Sequence, residues 1–212
     1  MAITPYTTMV NEVQLEVLKA PFPLITRALR NAAIEFYTRS ESMVYNHDKL
    51  TLIEGVNAYD LDPEDETRVG KILTARYKGA KLKPTSRELL NQMGNTWDTA
   101  MGSPALFFSE RPNEVIFAPV PSTTEALAVA VTVSLIPTRD STGVEERYFE
   151  EHYSAINHGA LMNLFMMGHQ EWRDPGRAQA EGFAFGEAIR MAKAKAQQDD
   201  TAKSRTMSYG GL

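Results

Sequence analysis

Apolar residues recur at helical spacing at both ends of this chain and alternate at strand spacing between them. That change of period restricts the fold more than any other feature. Near the N-terminus Met9, Val10, Val13, Val17 and Leu18 follow the helical pattern. Thr4-Pro5 reads as an N-cap with proline at the first helical position, so a first helix is predicted to run to about Lys19, where Pro21 and Pro23 stop it. A second follows from Leu24 to near Ser40, with Ile25, Leu29, Ala32, Ala33, Phe36 and Tyr37 as its apolar stripe.

The middle of the chain reads as strands. Residues 50–53 and 59–61, with a Gly55 turn between them, look like a short hairpin. A turn at 62–65 follows, then a strand over 71–77, a short helix over 85–92, and strands over 105–108 and 114–117. Gly79 allows positive φ at a turn, and Pro119 and Pro121, which cannot donate to a ladder, end a strand or mark an edge. Residues 126–135 are the longest strand candidate.

The helical period then returns with Tyr153, Ile156, Ala160, Leu161, Leu164 and Phe165. Asp174-Pro175 opens the last helix, whose stripe (Ala178, Gly182, Phe185, Ile189, Ala192, Ala196) is mostly small and suits close helix packing. From Gln197 the chain is polar and carries too little apolar surface to order alone. Segregated helices and strands mean α+β. The expected architecture is a helical bundle from both chain ends (1–42 and 145–197), a central strand-rich β lobe (43–144) and an extended C-terminal docking tail (198–212).

With 212 residues, 43% apolar and 23% charged, the chain can bury a core without staples, and the absence of cysteine removes disulfides and thiolate metal sites. No apolar run approaches the roughly 18 residues of a membrane span. The N-terminus lacks a basic patch followed by an apolar run, so no signal peptide is expected and the protein is expected to be made and used in the cytoplasm. The net charge of −5 is uneven: Arg190, Lys193, Lys195, Lys203 and Arg205 outnumber Asp199 and Asp200 by three at the carboxyl end, leaving −8 on the rest. An acidic body argues against general nucleic-acid binding, whereas the basic end could dock on an acidic surface.

The chemistry-bearing residues point away from catalysis. His152 and His158 share a predicted helix with Glu151 but stand six apart, where a helical metal pair wants i, i+4. Ser154 and His158 could touch, yet no nucleophile turn surrounds the serine and no orienting acid is evident. Asp60, Asp62, Glu64, Asp65 and Glu66 lack the glycine and closing glutamate spacing of a calcium loop and read as a solvated turn. Gly182 and Gly186 lie inside a helix, which favours helix packing over a phosphate loop. Met162, Met166 and Met167 with Phe165 read as core or a pliable interface. No catalytic residue, cofactor or metal is expected. Arg190, Lys193 and Lys195 either answer the helix dipole or dock a partner, and Tyr209 either anchors the arm or frays.

Residues 20–25 (Ala-Pro-Phe-Pro-Leu-Ile) leading into 28–40 resemble the start of head-to-tail adaptors (connectors of the tail tubular protein A-like kind) of short-tailed bacteriophages. So do Gly55-Val-Asn-Ala-Tyr59-Asp-Leu61, Tyr77-Lys-Gly79, Leu82-Lys-Pro84, Trp97, Gly102-Ser-Pro104, Ile116 to Pro121, Leu135-Ile-Pro137, Gly168, Trp172 and Asp174-Pro175. The resemblance covers nearly the whole chain and rests on order and spacing. It implies a structural virion protein without catalysis, a ring of twelve copies in the virion neck between the portal protein and the tail nozzle or hub protein. Viral DNA would pass through without specific binding, and no membrane is involved. It implies a portal or neighbour interface at the last helix and tail: Arg190, Lys193, Lys195, Lys203, Arg205 and Tyr209. Another tail-completion or neck protein and a small phage hydrolase are the alternatives.

Overall fold

A computed structural model describes residues 2–94 and 96–202, the last five by their backbone. In chain order the elements are β1 (Ile3–Pro5), α1 (Thr7–Glu16), α2 (Phe22–Ser40), β2 (Val44–Asn46), β3 (Leu50–Leu52), β4 (Ala58–Asp60) and β5 (Thr67–Tyr77). Then come β6 (Ala80–Lys81), β7 (Lys83–Pro84), α3 (Arg87–Met93), β8 (Met101–Gly102), β9 (Leu106–Phe108), β10 (Glu114–Ala118) and β11 (Val120–Pro121). The chain ends with β12 (Glu125–Pro137), β13 (Gly143–Glu145), α4 (Glu146–Phe165) and α5 (Pro175–Ala202). The protein is therefore mixed α+β, and its contacts divide it into two units, Met1–Ser42 with Pro137–Leu212, and Met43–Ile136.

In the terminal unit α2, α4 and α5 pack on one another and α1 packs on α2 and α4. The core is made of Met9, Val10 and Val13 of α1, Ile25, Leu29, Ala32 and Phe36 of α2, Ile156, Ala160 and Leu164 of α4, and Phe185 and Ile189 of α5. Gly159 is where α4 meets both neighbours: a Cβ there would stand 2.8 Å from Phe185 and 2.9 Å from Ala32. α2 stops at Glu41, whose left-handed backbone (φ 55) turns its N–H onto the Tyr37 carbonyl. Asp174 starts α5, its Oδ1 accepting from the Arg177 N–H at 3.0 Å. α5 continues past Gln197 to Ala202, so residues 198–202, expected in the extended tail, are helical. An established helix adds residues without needing an apolar face for each new turn.

Residues 3–5 are not a helix start. They pair antiparallel with β13, Thr4 opposite Val144 and Pro5 opposite Gly143, and α1 begins only at Thr7 and ends at Glu16. Proline tolerates a strand edge as well as a first helical turn, and the partner strand lies far along the sequence. A Cβ at position 143 would fall 2.2 Å from the Thr4 carbonyl oxygen, so only glycine admits β1 there.

The central unit holds two main sheets. One has the order β2-β12-β5-β6 with β3 also on β12, the other the order β4-β10-β9-β7, and β8 pairs with β11 in parallel. The expected hairpin over 50–61 does not form: β3 pairs with β12 and β4 with β10. Each short strand finds a longer partner instead of its sequence neighbour. α3 opens at Ser86, whose Oγ accepts from the Leu89 N–H, and its Leu90 packs with Phe108, Ile116 and Ala118.

Candidate functional site

The expected docking residues begin on α5, and the described ones face three different carboxylates. Arg190 folds back along its own helix, Nε donating to Glu187 Oε2 at 3.0 Å. That contact holds the Glu187 carboxyl below its ordinary value and the Arg190 guanidinium above its own. Lys193 Nζ reaches Glu41 Oε1, at the end of α2, at 3.4 Å. Lys195 Nζ reaches Glu151 Oε1 on α4 at 2.5 Å, and this ammonium holds the Glu151 carboxyl below the usual carboxylate range. Lys193 and Lys195 thus fasten α5 to its own unit. Lys203, Arg205 and Tyr209 lie outside the described residues.

On its other side α5 is bare. Phe183 and Met191 are 79% and 60% exposed. Eight residues apart, they share one helix face, with the Glu187–Arg190 pair between them. The opposite face buries Ala178, Phe185, Ile189 and Ala192. Of the small pair expected to pack, Gly182 does so, because a Cβ would meet Met162 Sδ at 3.1 Å, while Gly186 faces open space.

Sequence reasoning found Ser154 and His158 and missed their third member. Ser154 Oγ lies 3.3 Å from His158 Nε2, and His158 Nδ1 lies 2.6 Å from Glu181 Oε2. This is the connectivity of a serine–histidine–acid relay. Glu181 belongs to α5, so the one available signal, its place on the flank of a helical stripe, named no partner. Ser154 stands within α4 and not on the strand-to-helix turn that presents a hydrolase nucleophile. What the relay does visibly is join α4 to α5.

His152 and His47 are also occupied. His152 packs against the rings of both Phe36 (4.7 Å) and Tyr37 (5.8 Å), where α4 departs from helical geometry, and burial lowers its pKa. His47 Nε2 accepts from the Asp62 N–H at 3.0 Å. Among the described residues no three His, Cys, Asp or Glu side chains gather as metal ligands would. No helix among them is long and apolar enough to cross a membrane.

No curated protein matches the chain. A model of the SU10 adaptor protein family matches residues 4–208, nearly from end to end. With that span the chain belongs to the SU10 adaptor protein family, a family of structural head-to-tail adaptors of phages.

Proposed function

We propose that this protein is a ring subunit of the virion neck, docked on the portal by α5 and the residues after it and offering its other contacts to the tail nozzle. Copies, twelve as the resemblance to head-to-tail adaptors implies, enclose the passage through which DNA leaves. Family membership supports the adaptor role. The observation that carries docking by α5 is its outer face, where Phe183 and Met191 stand exposed on a helix otherwise fastened to its unit. Both stand on the side of α5 turned away from its own core, where a partner can cover them. Arg190, Lys193 and Lys195 already have carboxylate partners, so the proposal assigns the charge that answers an acidic portal surface to Lys203 and Arg205, which follow α5 in the sequence.

Deleting residues 197–212 from the full chain, and separately making Phe183→Asp with Met191→Asp, should each weaken binding to purified portal rings. Unchanged affinity in both would end the docking reading. Sedimentation of the free protein tests templating, since a ring formed without portal contradicts it.

The Ser154–His158–Glu181 line favours a second reading, a small hydrolase. Hydrolysis of an activated ester that disappears in Ser154→Ala would establish it. Activity equal in both proteins would leave the line as a fastening between helices.

A further inference from the structure

We propose that the central unit carries both halves of the contact between neighbouring copies: a cationic hairpin at one end of β5 receives the acidic turn that precedes β5 in a second copy. The inference rests on the ring reading above and names the surfaces that close the ring.

The cationic half comes from a segment whose charge is hidden by the acidic total. Between Thr67 and Arg87 stand Arg68, Lys71, Arg76, Lys78, Lys81, Lys83 and Arg87, with no acid among them. β5 and β6 form a hairpin turned by Lys78 (φ 47) and Gly79 (φ 85), which sets Arg76 directly opposite Lys81. Like charges opposite one another across two strands are destabilising. Lys78 is answered by Glu125 at 2.9 Å. Lys49, Arg76 and Lys81 have no carboxylate partner among the described residues. Beside the hairpin runs a groove of about 620 Å³, lined by Lys49, Arg76 and Lys78 over Leu127 and Ala128. Leu127 is 63% exposed with φ 50, at the point where β12 shifts register against β3. A leucine held in left-handed backbone and turned to solvent is strained, and strain of this kind gathers at contact sites.

The anionic half lies at the other end of the same strand. Asp60, Asp62 and Asp65 are exposed, and none has a cation partner among the described residues. Asp60 stands directly opposite Glu114, a second like-charge pair of the reverse sign. The turn is pinned: the Leu61 N–H donates to the Asn113 carbonyl at 2.7 Å, while Asn113 Oδ1 accepts from the Val69 N–H of β5 at 2.7 Å. At about 3.3 Å per residue, β5 separates the two ends by roughly 33 Å.

A ring whose copies meet head to tail needs two different, complementary patches on one molecule. These two patches meet that requirement, and each like-charge pair is relieved by the other's sign. Nucleic acid is the less favoured occupant of the hairpin. Residues 43–136 hold nine basic against twelve acidic side chains, so a polyanion approaching the groove also meets a net repulsion.

The test is charge reversal in the full chain, titrated onto its purified portal and followed by sedimentation. Arg76→Glu with Lys81→Glu, and separately Asp60→Lys with Asp62→Lys, should each weaken cooperative filling of the portal roughly tenfold or more, and rising salt should weaken the wild type. An equimolar mixture of the two variants should restore filling, because alternating copies then present opposite charges at every junction. That rescue also shows that both variants are folded. Variants that fill the portal as the wild type does would overturn this contact and leave the ring reading standing. A wild type that never associates with the portal would remove the ring reading and this inference with it. A hairpin variant that assembles normally but whose rings lose retention of duplex DNA would overturn the contact in favour of nucleic acid.

Discussion

Gly159→Ala and Gly186→Ala make the same chemical change on two helices of one unit, and the structure gives them opposite consequences. Alanine is favoured over glycine within a helix by about 0.8–1.0 kcal/mol. At Gly186 the new Cβ meets nothing within 4 Å, so that preference is realised whole and stability should rise by about 1 kcal/mol. At Gly159 the Cβ falls 2.8 and 2.9 Å from Phe185 Cε2 and Cζ and 2.9 Å from Ala32 Cβ. Carbon atoms at rest stand about 3.5–4.0 Å apart, so both neighbours must retreat. Phe185 and Ala32 are 1% and 0% exposed and sit on two different helices, α5 and α2. Overpacking of this kind costs about 1–3 kcal/mol, and with two helices displaced the upper part applies. After the helix preference is subtracted, Gly159→Ala should lose about 1–2 kcal/mol. The two variants should thus differ by about 2–3 kcal/mol. The assay is urea unfolding followed by Trp172 fluorescence in a Trp97→Phe background, since the two tryptophans fall one in each unit. If both substitutions stabilise equally, the close approach of α2, α4 and α5 at Gly159 is wrong.

Three further outcomes follow from the same unit. Lys193→Ala with Lys195→Ala should cost about 1 kcal/mol or less, because both pairs are substantially exposed, and the deficit should shrink in about 0.5 M salt; a loss of several kcal/mol in urea unfolding would contradict this. Burial holds His152 below its ordinary 6.5, against the pull of Glu151 and with the push of Lys195. The folded state therefore binds this proton less readily than the unfolded chain, so the contribution of His152 to stability is full above about 6.5 and is lost as pH falls toward the folded value. His152→Phe keeps the ring contact and should flatten the acid limb of unfolding free energy against pH; identical limbs would refute the assignment. Tyr37 donates to the buried Tyr148 carbonyl at 2.9 Å, so Tyr37→Phe should lower stability by about 1–2 kcal/mol in thermal unfolding, and no change would show that the bond contributes nothing.

The parts of the fold legible in the sequence are those whose information is local. α2 has a long stripe, Asp174-Pro175 marks the start of α5, and β5 and β12 carry enough alternation or β-branching to declare themselves. What misled was local chemistry overruled from a distance. Thr4-Pro5 looks like a helix start, but Thr4 is held by Val144. Gly55 looks like a hairpin turn, but β3 and β4 each go to a strand far along the chain. The candidate site failed to declare itself in the same way. Arg190, Lys193 and Lys195 are visible as a basic trend, while Glu41 and Glu151, which occupy two of them, have no sequence relation to α5. Glu181 is hidden from His158 for the same reason. The cationic run of 67–87 was legible all along, but summing charge over the whole chain cancels it against the turn beside it.

Ion pairs tie segments together in both units, Lys78 with Glu125 and Arg87 with Glu110 in the central one, yet the central unit also sets like charges opposite one another at two places. In the terminal unit Lys19 meets Glu171, Arg177 meets Glu16, Lys193 meets Glu41 and Lys195 meets Glu151, each pair tying two segments of that unit together. Ion pairs spent inside a fold are not available to a partner. In the central unit Arg76 stands opposite Lys81 across one hairpin, while Asp60 stands opposite Glu114 across another strand pair, about the length of β5 away. A lone globule gains by neutralising such pairs, for instance with a single change at Lys81 or Asp60. A subunit that must recognise its own copy gains by keeping them, because the cost borne in the free chain is returned when opposite ends meet. On this reasoning Lys81→Ala should stabilise the free protein slightly while weakening assembly, and that opposition of sign is what distinguishes a contact surface from an exposed charge with no task.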